Sequence, residues 1–398
     1  MSHIVVVGAG LAGVRTVQAL RREGSGASVT LVGDELHPPY DRPPLSKDLL
    51  LGKSEPDDVR LLDDAGLAGL EAQLRLGVSA TALDTDRRVV TLSSGEALRY
   101  DELVIATGAR ARQLPHGESG TPAGLHVLRS LEDAMALRDA FAEGPRVAVI
   151  GGGVIGCEVA SSASMLGLPV VIIDSLPVLM QRVVGDVVAE RVAALHRGAG
   201  VELRLGATVA GVDTEGGRVR GVRLATGEVV PADVVVVGIG AVPNVEWLEG
   251  SGLTLDDGVV SDEFLAAVGV DGVHVVGDVA RWHHLGYGEA VRAEHWTAAT
   301  EHATAVAKTL TGTPTSVAEI PYAWTDQHGR RFQIAGHVRP GDEVVFVVDE
   351  AGPPVKFLAL VGSGGEQHAA VSIGAAPLFV KERMKMRRGE ATWPPEAR

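Results

Sequence analysis

"RVAVIGGGVIGCEVA", Arg146–Ala160, is a short apolar run that breaks into G-x-G-x-x-G (Gly151, Gly153, Gly156) and continues with small and apolar residues in a helical pattern. This predicts a strand, a tight glycine turn and a helix whose N-terminus faces a pyrophosphate, since the first N–H groups of a helix are unpaired and carry the positive end of its dipole. The chain makes the same shape earlier, in "HIVVVGAGLAGVRTVQALRR", with Gly8, Gly10 and Gly13. The two fingerprints start 143 positions apart (151 − 8). One such motif carries little weight, because glycine-rich turns are common. Two copies, each followed by an acid about 20–25 residues on, predict two dinucleotide sites.

Those acids close the second strand of each unit. "SVTLVGDE" ends in Asp34 and Glu35, either of which can accept hydrogen bonds from a ribose diol, and "PVVIIDS" ends in Asp174. Between them lie a proline-rich loop, "LHPPYDRPPLSKDLL", and a strand, "YDELVIATGARARQLP", stopped by Thr107 and Gly108. After a linker around residues 111–125, "LRSLEDAMALRDAF" reads as a helix opened by a capping box from Ser130 to Asp133. The pattern then restarts at the second fingerprint and closes with "PADVVVVGIGAVPN", so residues 111–239 form a second Rossmann unit. A further buried strand, "GVHVVGDVA", and the helical "AEHWTAATEHATAVAKTL" follow. From about Thr313, "PYAWTD", "RRFQIAGH", "EVVFVVDE" and "VKFLALVG" predict an antiparallel sheet, with a helix only at "APLFVKERMKM".

The bulk properties narrow the class. The chain has 398 residues, enough for two or three domains. Its net charge of −15 argues against nucleic acid. No apolar run approaches the roughly 18 residues of a membrane helix, and no basic n-region precedes "IVVVGAGLAG", which rules against a signal segment. A single cysteine, Cys157, excludes an internal disulfide and leads us to expect a cytoplasmic protein.

Two dinucleotide sites in one chain imply electron transfer between them, and nicotinamide with flavin is the economical pairing: NAD(P)H and FAD. "ATGA", "GGGVIGCEVA", "VVGIGAVPN" and "VVGDVAR" together resemble the two-dinucleotide-binding-domain flavoprotein reductases. "VGDELHPPYDRPPLSKDLLLGK" and "AWTDQHGRRFQIAGH" are similar to the ferredoxin reductases of Rieske dioxygenase and bacterial cytochrome P450 systems. The resemblance runs nearly end to end and departs after about Ala375.

It implies an α/β protein with two Rossmann-like domains and a C-terminal α+β domain: FAD at 1–110 and 240–315, NAD(H) inserted at 111–239, and an interface domain at 316–398. For FAD it implies Gly8, Gly10, Ala12 and Gly13 at the pyrophosphate, and Asp34 or Glu35 at the ribose. Arg42 and Lys47 would lie along the flavin and Asp278 at the ribityl chain, with Ala80, Thr107, Gly108, Arg110 and Trp296 completing the set. For NADH it implies Gly151, Gly153, Val154, Ile155, Gly156, Glu158, Asp174, Arg182, Gly238, Ile239 and Gly240. The activity implied is hydride transfer from NADH to FAD, then single electrons to an iron–sulfur ferredoxin, [2Fe–2S] or related. A rubredoxin or nitrite reductase component, or a slow-turnover redox sensor, would fit the same motifs.

Three residues are candidates for the chemistry, each with a plainer alternative. Lys47 is an exposed loop lysine or the cation that stabilises anionic reduced flavin. Glu158, in the first turn of the second fingerprint's helix, complements the dipole or faces the nicotinamide and pairs with Lys47. Trp296 is a helix-core aromatic or the ring beside the flavin. Cys157 lacks the partner cysteine of disulfide reductases and reads as a small buried hydrophobe. His283, His284, His295 and His302 lack metal-ligand spacing, so no metal is expected. Lys381, Arg383, Lys385, Arg387 and Arg388, with one acid (Glu382), form the densest basic cluster; it is a solvated helix end or a ferredoxin-docking surface beside Trp296.

Overall fold

A computed structural model describes residues 2–115, 120–350 and 355–395. Met1 and residues 396–398, the outer ends of the first and last expected domains, lie outside them, as does part of the expected linker. The chain divides into two compact units, Met1–Asp41, Val59–Arg110 and Val242–Pro321 in one, and Arg42–Asp58, Ala111–Ala241 and Tyr322–Arg398 in the other.

In the first unit a parallel sheet runs in the order Val273–Val275, Glu102–Ile105, His3–Val7, Ser28–Gly33, Ala72–Leu76. Its inner strands are largely apolar because both faces are covered, with Val5, Leu31, Leu103 and Ile105 fully buried, while the edge strand Ala72–Leu76 (AQLRL) is partly exposed. The first fingerprint's helix, Leu11–Arg22, packs against helix Trp296–Leu310.

The second unit repeats this order: Glu202–Leu205, Val170–Asp174, Val147–Ile150, Val234–Val237, Leu125–Val127, again all parallel. The capping box is present, with Ser130 accepting from the Asp133 N–H and Asp133 from the Ser130 N–H at the start of Leu131–Ala142. Each unit also carries a three-stranded antiparallel meander that sequence reading passes over, Ala80–Asp84, Val89–Leu92 and Ala97–Arg99 in the first. In the second it comprises Val209–Glu215, Arg218–Leu224 and Val229–Pro231.

The second unit also holds the expected antiparallel sheet, with one strand more than foreseen. The order is Tyr322–Gln327, Arg330–Gly336, Glu366–Ile373, Lys356–Ser363, Glu343–Glu350. The unforeseen strand, Glu366–Ile373, is the central one. Its Ala369, Ala370, Val371 and Ile373 are fully buried, and such small residues after a Gly-Gly turn carry no clear alternation. Helix Ala376–Arg387 follows.

Candidate dinucleotide sites

At the first fingerprint the three glycines do different work. Gly8 has φ +118°, and a Cβ there would stand 2.1 Å from the Ala106 carbonyl oxygen. A Cβ on Gly13 would stand 1.9 Å from the Gly8 oxygen, so the helix lies directly on the turn. Around Gly10 there is open space, and Gly10 caps the helix without a side-chain hydrogen bond. An approaching phosphate thus meets bare backbone N–H groups, which fits a pyrophosphate.

Beside it, Asp34 is exposed, whereas Glu35 accepts the Tyr40 hydroxyl. Between them and Tyr40, Leu36 is 81% exposed. Ala12 packs against Gly277, where a Cβ would lie 2.9 Å from the Ala12 Cβ, and this brings the Asp278 turn against the fingerprint. The Gly277 N–H donates to Nδ1 of the buried His302, whose proton is therefore on Nε2. Thr107 and Asn244 exchange two hydrogen bonds of 2.9 Å, Asn244 N–H donates to the Gly108 carbonyl, and Arg110 pairs with Glu246. Ala80 opens the first meander, half-buried. Trp296 begins its helix, with Nε1 donating to Asp41 at 2.8 Å and the Arg15 guanidinium over its ring.

The second fingerprint has the same geometry. Gly151 has φ +104° and would clash with the Gly238 oxygen at 2.3 Å, Gly156 would clash with Gly151 at 1.9 Å, and Gly153 faces open space as an uncapped N-cap. Val154 and Ile155 form the first turn of Val154–Met165, and Ile155 is 44% exposed. Asp174 accepts the Gly152 N–H on one oxygen and the Leu176 N–H at 2.8 Å on the other. Its carboxylate therefore holds the fingerprint turn, a job its place at the strand end did not announce. Arg182 is exposed near the start of Gln181–Gly198. Gly238 donates to the Ile150 carbonyl, Ile239 is partly buried and Gly240 accepts from Arg112.

Two corrections concern Glu158 and Lys47. Glu158 is not in the first helical turn but the fifth helical residue, and it is 2% exposed, so the dipole account loses force. Its carboxylate accepts from Lys47 Nζ at 2.7 Å, from Ser46 Oγ and from Thr325 Oγ1 at 2.6 Å. Lys47 in turn is only 16% exposed, not the solvated loop lysine of the plainer alternative. Ser162 donates to the Ser46 carbonyl at 2.6 Å, tying the same loop to the fingerprint helix, and Arg42 donates to the Arg129 carbonyl. Ser46, Ser162 and Thr325 escape sequence reading, because nothing local marks a hydroxyl more than 100 positions from its partner.

Cys157 is fully buried, with its thiol 3.5 Å from the Gly152 carbonyl and its pKa pushed up by desolvation. The basic cluster is corrected in part. Glu382 is buried, Arg383 stacks on Tyr322 at 4.2 Å, and Lys385 pairs with Glu382, which leaves Lys381, Arg387 and Arg388 as the exposed cations beside exposed Val380 and Met384. Among the described residues no three His, Cys, Asp or Glu side chains gather as a metal site, and no helix is long and apolar enough to cross a membrane.

Residues 2–303 match the family model described as pyridine nucleotide-disulphide oxidoreductase. The chain belongs to that family. Residues 322–397 match a reductase C-terminal model, so the segment after Ala375, expected to depart from the pattern, falls within it. The chain is 37% identical over 377 residues to the biphenyl dioxygenase system ferredoxin–NAD(+) reductase component of Paraburkholderia xenovorans (strain LB400), covering 94% of this chain and 91% of the relative. It is 35% identical over 356 residues to a rubredoxin–NAD(+) reductase of Pseudomonas putida, covering 89% and 92%. The reductase in the crystal structure of a covalent putidaredoxin reductase–putidaredoxin complex superposes with TM-score 0.93 at 34% identity, over 97% of this chain and 93% of that one.

Proposed function

We propose that this protein is an FAD-dependent NADH:ferredoxin oxidoreductase of the cytoplasm, supplying electrons to a Rieske oxygenase or a cytochrome P450. The observation that carries the reading is the pair of bare, glycine-lined helix N-termini at Gly10 and Gly153, in a chain aligned over nine-tenths of its length with a ferredoxin–NAD(+) reductase. FAD, when bound, supplies acceptance of an electron pair and its release one electron at a time.

In this reading the first fingerprint, Asp34 or Glu35, Thr107, Gly108, Arg110, Ala80 and Asp278 hold FAD, in a domain split as 1–110 and 240–315. The second, with Asp174, Arg182, Gly238, Ile239 and Gly240, holds NADH in 111–239, leaving 316–398 as the interface domain. Hydride transfer needs no nucleophile, only donor and acceptor atoms held in line. Ile155, exposed at the helix mouth, offers an apolar wall to a bound nucleotide. Lys47 supplies a cation for the reduced flavin, and Trp296 lies at the electron exit. Rapid bleaching of the flavin band by NADH under anaerobic conditions, followed by catalytic reduction of a [2Fe–2S] ferredoxin, is the expected result. A long-lived charge-transfer complex without ferredoxin reduction would overturn it in favour of a sensor. The similar identity to a rubredoxin–NAD(+) reductase favours a second reading, with rubredoxin as acceptor; ranking the two acceptors by kcat/KM separates them.

A further inference from the structure

The carboxylate of Glu158 ends a longer chain of hydrogen bonds inside the second unit. An ionised carboxylate only accepts, so Thr325 Oγ1, 2.6 Å from Glu158 Oε1, gives it its one proton. That oxygen can then only accept from the Gln327 amide, 3.2 Å away, which puts the NH2 end toward Thr325. The amide oxygen is thereby turned to His196 Nε2, 3.0 Å away, which must carry a proton. A neutral imidazole protonated there accepts at Nδ1, and His328 Nε2 donates to it at 3.0 Å. One charge therefore dictates every proton in the series, and each donor points toward Glu158.

Burial makes the arrangement consequential. Thr325, Gln327 and His196 have no exposure, and desolvation pushes His196 down to about 4, so the ring is neutral near pH 7. A buried network whose members are all satisfied selects a single geometry, because any flip strands a polar group in a low-dielectric interior. The amide of Gln327 has no proton to pass on without tautomerising, so the series orients rather than conducts.

We propose that Thr325 and Gln327, backed by His196 and His328, are positioning residues. They fix the Glu158 carboxylate and, through it, the Lys47 ammonium in one place for the flavin chemistry. The inference rests on the reading of Lys47 as the flavin's cation. It gives the strand Tyr322–Gln327, which lies beyond the residues matched by the pyridine nucleotide-disulphide oxidoreductase model, a part in the reaction as well as in the interface.

The test uses the FAD-loaded protein and reads the flavin's reduction potential by dye equilibration, the single-turnover rate constant of flavin reduction by NADH, and NADH affinity. Lys47→Met is the benchmark. Thr325→Val, isosteric but without the hydroxyl, should slow flavin reduction by about tenfold, the scale of one hydrogen bond to a charge, and shift the potential in the direction of Lys47→Met. NADH affinity and FAD content should stay within about twofold of the parent, and Thr325→Ser should restore both rate and potential. Gln327→Met should reproduce Thr325→Val, and the double variant should be no worse than either single one. Parental potential and rate in Thr325→Val or in Gln327→Met, while Lys47→Met changes them, would overturn the positioning role. A Lys47→Met protein unchanged in both would instead overturn the reading on which it rests.

Discussion

Asp174 ends the parallel strand Val170–Asp174, whereas Asp278 lies on the turn Gly277–Val279 that follows the parallel strand Val273–Val275, and the two are held differently. The Asp174 carboxylate is held by two backbone N–H groups; in the proposed reading it stands where the adenosine ribose of NADH would lie and would repel the 2′-phosphate of NADPH. NADH should therefore be preferred over NADPH. Asp174→Asn, which keeps an acceptor for the turn, should narrow the kcat/KM ratio by about tenfold. Equal use of the two by the unmodified protein would refute the assignment. Asp278 stands on a turn seated against Ala12, and its neighbour Gly277 needs both its φ of +74° and its missing Cβ. Asp278→Ala should lower FAD content in the purified protein; a well-folded variant with full flavin would place the ribityl contact elsewhere. Asp174 was legible in sequence as the acid that closes the second strand after a glycine fingerprint, a local pattern, whereas Asp278 was reached only through the family resemblance of "VVGDVAR". The partners of Glu158 were not legible, since Ser46 and Thr325 come from distant segments.

Helix Ala376–Arg387 shows what an element adds to a charge run. The sequence "KERMKMRR" offers five cations and one acid, but folding withdraws Glu382 into the core and stacks Arg383 on Tyr322. What remains exposed is Lys381, Arg387 and Arg388 around Val380 and Met384, an apolar centre rimmed by charge of the kind protein partners use. On a protein of net charge −15, such a local patch is what an acidic ferredoxin needs to approach. Lys381→Glu with Arg388→Glu should raise the ferredoxin KM by roughly three- to tenfold and weaken its salt dependence, leaving NADH reduction of the flavin unchanged. A ferredoxin KM equal to the parent's would move the docking site off this helix. Elements of strong period or clear capping were readable, the Ser130–Asp133 box among them. The meanders and the central strand Glu366–Ile373 were not, because short or small-residue strands owe their conformation to neighbours in the sheet.

Across the molecule, buried histidines set the response to acid. His302 in the first unit and His196 in the second are fully buried, with pKa values pushed by desolvation from 6.5 to about 3 and about 4. Below about 6.5 the unfolded chain takes up these protons and the folded one does not, so their contribution is complete above that value and is lost as pH falls toward the folded values. Each should cost about 1.4 kcal/mol per pH unit once the unfolded form is protonated. Urea midpoints should fall between pH 7.5 and 5, and His302→Gln should flatten that slope; an identical slope in the variant would show that other groups dominate. The sequence by itself determined the two fingerprints, the repeated parallel units and the class of cofactor, because each depends on a strand–turn–helix written in contiguous residues. Only the tertiary structure decided that Glu158 is buried under Lys47, Ser46 and Thr325, that Asp174 braces its own turn, and which cations of the last helix reach solvent. Those outcomes depend on contacts between residues far apart in the chain, where desolvation and the supply of hydrogen-bond partners, neither visible locally, set the state of each polar group.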